Sequence, residues 1–270
     1  CYVDDLFILY SHDDEHSLYK DFVGELTQSW NAEDEGEVAD LLNVEISNVD
    51  GVVELKQTGY IEKLAQTYLP GGNPSTGPAF SSKTLRTPAG PELVQDIADT
   101  LTSRDIPEAD LLKQYQSLVG SLIYCATHTR PDVAYSVGML CRAMAFPNQK
   151  LLRHAERVLC YLIATRRLGL RYVADQRDVL GSTDSDWSVE RSTSGQVFTY
   201  CQAAISWGSK RQTSIALSSC EAEIMAASEA SKEAVYLAAF LEELGVRPGD
   251  KPVTLQCDNQ CAIDVSYNPE

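Results

Sequence analysis

Long apolar runs are missing from this chain. No stretch of its 270 residues approaches the roughly 18 to 20 apolar positions needed to cross a bilayer, and no basic-then-apolar leader opens it. No membrane partner is expected, and the default reading is an intracellular chain. Grouped zinc ligands are missing too. The eight cysteines are scattered, and Cys125, Cys141 and Cys160 lie in apolar runs where a thiol behaves as a small hydrophobe. The closest pair, Cys257 and Cys261 in CDNQC, has no second Cys or His pair to complete a structural zinc set. A reducing compartment fits this usage. The chain begins with Cys1 rather than Met, so it reads as a piece of something longer.

Basic residues are scarce at the front. Residues 1–55 hold 15 Asp or Glu against one Lys, a net of −14 out of the chain's −17. The acidity that argues against a nucleic-acid partner is therefore local. Residues 130–177 reverse it, with nine Lys or Arg against three acids. Arg153, Arg157, Arg166, Arg167 and Arg171 cluster there, which suits either a phosphate-facing stripe or an ordinary solvated face.

The pattern of elements is mixed. HSLYKDFVGELTQSW spaces Leu18, Phe22, Val23 and Leu26 as a helix does. LLNVEISNVDGVVELKQ predicts two strands about Asn48, Asp50 and Gly51, and TGYIEKLAQTYL a further helix. A Gly, Pro and Ser-rich segment from Leu69 to about Leu93 reads as a loop or linker. Pro131 marks a helix start with Asp132 placed to favour its dipole, and NQKLLRHAERVLCYLIATRRLG predicts a core helix stopped by Gly169. From Leu170 strands take over: LRYVADQ, VLGSTDSDW, QVFTYC, AAISWGS and a short QTSIALSS. A long helix ending near Gly245, the strand VTLQC and a last helix follow. That order predicts an α/β layout on a central sheet.

Carboxylates supply the candidate chemistry. Asp4 and Asp5 in CYVDDLFILY suit a hairpin turn, or paired ligands for Mg²⁺ at a rigid turn. Asp184 in STDSDW ends a predicted strand, Glu223 lies early in the long helix, and Asp258 follows a later strand. Strand ends and the start of a helix packed on the same sheet can meet at one edge. Three carboxylates there repel one another unless a cation lies between them, and a pair of metal ions is suited to in-line phosphodiester cleavage. Each also has a structural explanation: Asp184 and Asp186 as turn residues, Asp258 as a helix cap, Glu223 as a solvated helix position. Glu221 is better explained by a capping box with Ser218.

In order along nearly the whole chain, YVDDLFILY, LLNVEI, GYIEKL, SLVGSLIYCATHTRPDVAYSVGML, STDSDWS, RSTSGQVFTY, ISWGSKRQTSIALSSCEAEIMA and CDNQCAI resemble the C-terminal part of copia-type retrotransposon Pol polyproteins. The resemblance implies a mixed α+β and α/β fold. Residues 1–85 would be the end of a reverse transcriptase palm, 86–169 a helical thumb or connection, and 170–270 an RNase H-like domain. It implies that Asp4 and Asp5 are two of three polymerase aspartates, and that Asp184, Glu223 and Asp258 are three of the four acids of an RNase H centre. Both would be two-metal sites for Mg²⁺ or Mn²⁺. The implied partners are RNA template, DNA, RNA–DNA hybrid and the rest of the Pol polyprotein, with the parent element working in a cytoplasmic particle or the nucleus. The family's remaining acid of each centre falls outside these residues, so the chain alone is not expected to polymerise DNA. Two functions stay open: part of an enzyme that copies RNA and degrades the RNA of the hybrid, or a relic or domesticated remnant that folds or binds hybrid without cleaving it.

Overall fold

In the computed structural model, which describes residues 6–8, 17–69, 85–174, 178–188, 191–247 and 251–268, the backbone separates into residues 1–39 and 40–270. The first unit carries helix α1 (Ser17–Trp30). Its expected apolar stripe is only partly covered, with Leu18 and Phe22 exposed. Asp34 accepts from the Tyr19 hydroxyl and from the Gly36 amide, tying the segment after the helix back to it.

The second unit opens with β1 (Asp40–Leu41), β2 (Val44–Val49) and β3 (Val52–Lys56), paired antiparallel. The turn between β2 and β3 has positive φ at both Asp50 and Gly51, the hairpin geometry that matches strand twist. Strand β4 (Leu170–Val173) completes this sheet by pairing with β3. Between them stand α2 (Thr58–Tyr68), α3 (Leu93–Ser103), α4 (Ala109–His128), a 3₁₀ turn (Pro131–Val133), α5 (Ala134–Cys141) and α6 (Gln149–Ala164). Ile61, Leu118, Leu122, Leu140, Leu159 and Leu162, all buried, form their shared core. Asn148 caps α6 by accepting from the Leu151 amide.

One expectation about the helices needs correction here. Helix α6 stops at Ala164, five residues before Gly169, and the glycine serves a different need. A Cβ at Gly169 would lie 2.2 Å from the Leu55 carbonyl oxygen, so only glycine allows β3 and the chain entering β4 to approach this closely. Asp132 lies in the first turn of the 3₁₀ helix, with Pro131 at its start, as the sequence predicts. It forms a two-pronged ion pair with the buried Arg130, at 2.9 Å to Nε and 2.7 Å to Nη2. Arg130 also donates to the Thr165 hydroxyl and carbonyl, and Tyr161 donates to Asp132. One guanidinium thus joins the end of α4, the 3₁₀ turn and the end of α6.

A second sheet runs β7-β6-β5-β8, from β5 (Leu180–Asp186), β6 (Thr193–Tyr200), β7 (Ala203–Arg211) and β8 (Thr254–Gln256). β5, β6 and β7 are antiparallel and β8 joins β5 in parallel, so the sheet is mixed. Helix α7 (Ser219–Glu243) packs on it through Ala230, Ala234, Leu237 and Leu241 against Val179 and Phe198. Gly181 is required beneath that helix, since a Cβ there would sit 2.5 Å from the Phe198 ring. Helix α8 (Gln260–Tyr267) packs against α7. The expected strand QTSIALSS is absent. Its backbone groups are engaged elsewhere: Gln212 N donates to Ser192 O, Ala216 O accepts from the Trp187 indole and Leu217 N donates to Glu221. No helix among the described residues is long and apolar enough to cross a membrane.

Candidate metal centre

Glu223 sits in the second turn of α7 and is only 5% exposed, which excludes the solvated-helix explanation. Its place is set from both sides. Ser218 caps α7 by accepting from the Glu221 amide, and Gln212, itself buried, donates to the Ala222 carbonyl and the Ser194 hydroxyl. Gln212 lies in QTSIALSS, which the sequence predicts as a strand, so spacing alone does not mark it. Glu223 Oε1 accepts two bonds of 3.0 Å, from the Ser185 amide and the Ser185 hydroxyl, which fasten α7 to β5.

The other acids approach from the sheet. Asp184 is exposed and lies inside β5 opposite Gly195 of β6, so it is a strand residue and not a turn residue. Asp258 follows β8 and is exposed, and the cap of α8 is Asn259, whose side chain accepts from the Ala262 amide. The capping explanation of Asp258 is therefore set aside. Ligand atoms of Glu223, Cys257 and Asp258 lie within 4.8 Å of one another, with the Cys257 thiol 3.8 Å from Glu223 Oε2. Burial pushes the Glu223 carboxyl above its ordinary range; the Ser185 bonds pull it down, while the charges of Asp184 and Asp258 push it further up. Asp258 thus stands beside Glu223 in this group, while Asp184 lies outside it and acts on Glu223 through its charge. Hard carboxylate oxygens in mutual repulsion fit a divalent cation such as Mg²⁺ or Mn²⁺. Cys257, a softer donor beside them, is considered from sequence only with Cys261 as half of a zinc set; its position next to Asp258 in CDNQC is the signal that points to this cluster.

The remaining candidates do not join this cluster. Asp4 and Asp5 lie outside the described residues. Arg153 and Arg157 belong to α6, Arg166 and Arg167 to the turn after it, and Arg171 to β4. Arg166 is bonded to Glu62, Arg171 lies 3.5 Å from Glu54, and Arg157 reaches the Thr87 carbonyl. Much of the basic stripe is thus matched by local acceptors, while Arg153 and Arg167 are exposed.

In front of β5, β6 and β7 lies a cleft of about 540 Å³, walled on the other side by Pro131, Ala134 and Tyr135. Asp184 opens onto it, as do Asp186, Thr193 and Trp207. The Trp207 ring is fixed by a 2.7 Å bond from its indole to the Ala126 carbonyl.

A mixed sheet with carboxylates gathered at one edge, in a chain of this length, has relatives among proteins encoded by transposable elements. The chain is 31% identical to the Retrovirus-related Pol polyprotein from transposon TNT 1-94 of Nicotiana tabacum, over 99% of its own length and 20% of that protein's. It is 30% identical to the Pol polyprotein from transposon RE1 of Arabidopsis thaliana, over 99% of this chain and 17% of the relative. It is 31% identical to a putative transposon Ty5-1 protein of Saccharomyces cerevisiae, over 86% of this chain and 72% of that one. No family model matches. The chain belongs to the copia-type retrotransposon Pol polyproteins, and it spans about a fifth of the length of the tobacco and Arabidopsis relatives.

Proposed function

We propose that the chain comprises the end of a reverse transcriptase and an RNase H domain, and that Asp184, Glu223 and Asp258 hydrolyse the RNA strand of an RNA–DNA hybrid. The proposed parts are a palm end over 1–85, thumb or connection helices over 86–169 and the nuclease over 170–270. Strand β4, at the start of the third part, belongs to the first sheet. The setting is that of the parent element, a cytoplasmic particle or the nucleus.

The observation that carries this reading is the gathering of the buried Glu223 of α7 with Asp258 and Cys257 after β8, within 4.8 Å of one another, with Asp184 of β5 near enough for its charge to act on Glu223. Membership in a Pol family supports it. Mg²⁺ or Mn²⁺ bound there would neutralise the carboxylates and make a coordinated water more acidic. The chain's own residues orient the site: Ser185 holds Glu223, and the Asn259 cap fixes the turn that bears Asp258. Asp4 and Asp5 are proposed as metal ligands of the polymerase part.

The test is cleavage of a labelled RNA strand in a hybrid by the full chain with Mg²⁺ or Mn²⁺. Cleavage lost in Asp258→Asn supports the reading. Equal cleavage by that variant contradicts it. A folded chain that binds hybrid and leaves the RNA intact would favour the non-cleaving remnant.

A further inference from the structure

Gln212 touches neither Asp184 nor Asp258 by any hydrogen bond among the described residues, yet its surroundings lead to Glu223. Its backbone amide donates to the Ser192 carbonyl at 2.8 Å, which carries the β6–β7 pairing one step beyond Thr193 and Arg211. The side chain, 7% exposed, therefore starts from the firm end of the sheet. Its Nε2 makes two bonds of 2.9 Å, one to the Ala222 carbonyl in the first turn of α7 and one to the Ser194 hydroxyl of β6. A carbonyl can only accept, so Ala222 fixes which end of the amide is nitrogen. The Gln212 Oε1 is buried and has no hydrogen-bond partner among the described residues. A buried acceptor left unpaired is costly, and an apolar side chain would avoid that cost. What a glutamine supplies at this position is its two donors.

These bonds close a ring around Glu223. Ser194 pairs with Ser185 across β6 and β5, and Ser185 donates from its amide and its hydroxyl to Glu223 Oε1. Glu223 in turn follows Ala222, which Gln212 holds. Asp184 is the β5 residue just before Ser185, so the ring also ties Glu223 to the strand that bears that acid. The two carboxylate oxygens are left in different situations. Oε1 already carries two donors, while Oε2 is turned towards Cys257, 3.8 Å from its thiol. Glu223 thus has one oxygen to offer a cation rather than both. Mg²⁺ is small and is satisfied by one or two carboxylates with water completing its shell, whereas Ca²⁺ collects a larger set of oxygens and gains from carboxylates that bind through both.

We propose that Gln212 is a positioning residue of the candidate centre: by pinning the first turn of α7 to β6 it keeps Glu223 a one-oxygen ligand, which favours Mn²⁺ or Mg²⁺ over Ca²⁺. The proposal rests on the reading of Glu223 and Asp258 as cation ligands, and adds to it a residue that acts through Glu223.

The experiment is a Mn²⁺ titration of the full chain followed by electron paramagnetic resonance, then displacement of the Mn²⁺ by Ca²⁺, in the wild type, Gln212→Met and Ser194→Ala. Methionine keeps the approximate length and volume of glutamine and lacks its donors. Groups that orient a metal ligand from behind are worth about tenfold or more in affinity, so Gln212→Met should weaken Mn²⁺ about tenfold. Ca²⁺ should lose less, because a released Glu223 can offer it both oxygens, and the preference for Mn²⁺ should narrow. A merely looser fold would weaken both cations together and leave their ratio as it was. Ser194→Ala removes one acceptor of Gln212 and leaves the glutamine in place, so it should narrow the ratio by a smaller factor, and Ser194→Thr, which restores a hydroxyl, should recover most of the loss. Equal affinity of the wild type for the two cations would overturn the proposal. So would an unchanged ratio in folded Gln212→Met, or in Ser194→Ala should the methionine variant fail to fold. If Mn²⁺ binding is then still lost in Asp258→Asn, the metal reading stands without Gln212; Mn²⁺ binding indifferent to Asp258→Asn overturns both.

Discussion

Glu223 would concentrate the opposing demands of stability and of the proposed metal binding in one side chain. Its carboxyl is raised by burial and by two like charges, so in the metal-free protein its ionised form is disfavoured relative to the unfolded chain. The sign of the linkage follows. Below the unfolded value, near 4, both states are protonated and no penalty exists; as pH rises towards the raised folded value the unfolded state releases its proton first, and native stability falls. Glu223→Gln can still accept from Ser185 and removes the penalty. It should stabilise the metal-free protein at pH 7 and leave it unchanged near pH 4, measured by denaturant melts. A variant less stable than wild type at pH 7 would contradict this account of the site.

Asp132 behaves in the opposite direction. Burial pushes it up, but the Arg130 bond and charge and the Tyr161 bond outweigh that and hold it below the ordinary carboxylate range. Its contribution is present above that range and is lost as pH falls through the lowered folded value. Asp132→Asn leaves the Arg130 guanidinium, 2% exposed in its side chain, without its counter-charge. Asp132 is itself about one-third exposed, so water softens the loss, and roughly 2–3 kcal/mol is expected. The variant's stability should also become flatter below pH 4 than the wild type's.

At the scale of elements, much was legible because periodicity and turn chemistry act locally. The β2–β3 hairpin follows from Asp50–Gly51, α6 from its apolar face and Asn148, and α7 from its cap at Ser218. Misreadings arose where distant contacts decide. Gly169 is consistent with a helix stop by sequence, yet its role is set by β3, more than 100 residues earlier. QTSIALSS has strand-forming residues, but its backbone is claimed by Ser192, Trp187 and Glu221. Gly169→Ala should force β3 and β4 apart and cost about 3 kcal/mol, with hydrogen exchange accelerated in Leu55 and Leu170 before the α6 core. Unchanged stability would show that the close approach is not needed. For the carboxylates, spacing supplied candidates and the resemblance selected among alternatives. The two bonds from Ser185, the placement of Cys257 and the cleft beside Asp184 depend on tertiary packing and could not be read from spacing.

For the whole molecule, charge is divided along the chain. The −14 of residues 1–55 and the basic excess of 130–177 give a protein whose net charge says little about where an anionic duplex would rest. If the basic stripe contributes to hybrid binding, affinity should fall with salt, and Arg167→Ala should weaken it a few-fold. Arg166→Ala should have a smaller effect because Glu62 already engages Arg166. Asp258→Asn should leave hybrid affinity undiminished. Binding indifferent to salt and to Arg167 would place the duplex elsewhere.

The central claim is that Asp184, Glu223 and Asp258 form one divalent-cation centre. The most direct measurement is Mn²⁺ binding, followed by electron paramagnetic resonance in the wild type and in Asp184→Asn, Glu223→Gln and Asp258→Asn. Each substitution should weaken Mn²⁺ binding by about tenfold or more, since each would remove a charged ligand. Wild-type Mn²⁺ affinity retained in all three folded variants would contradict the account.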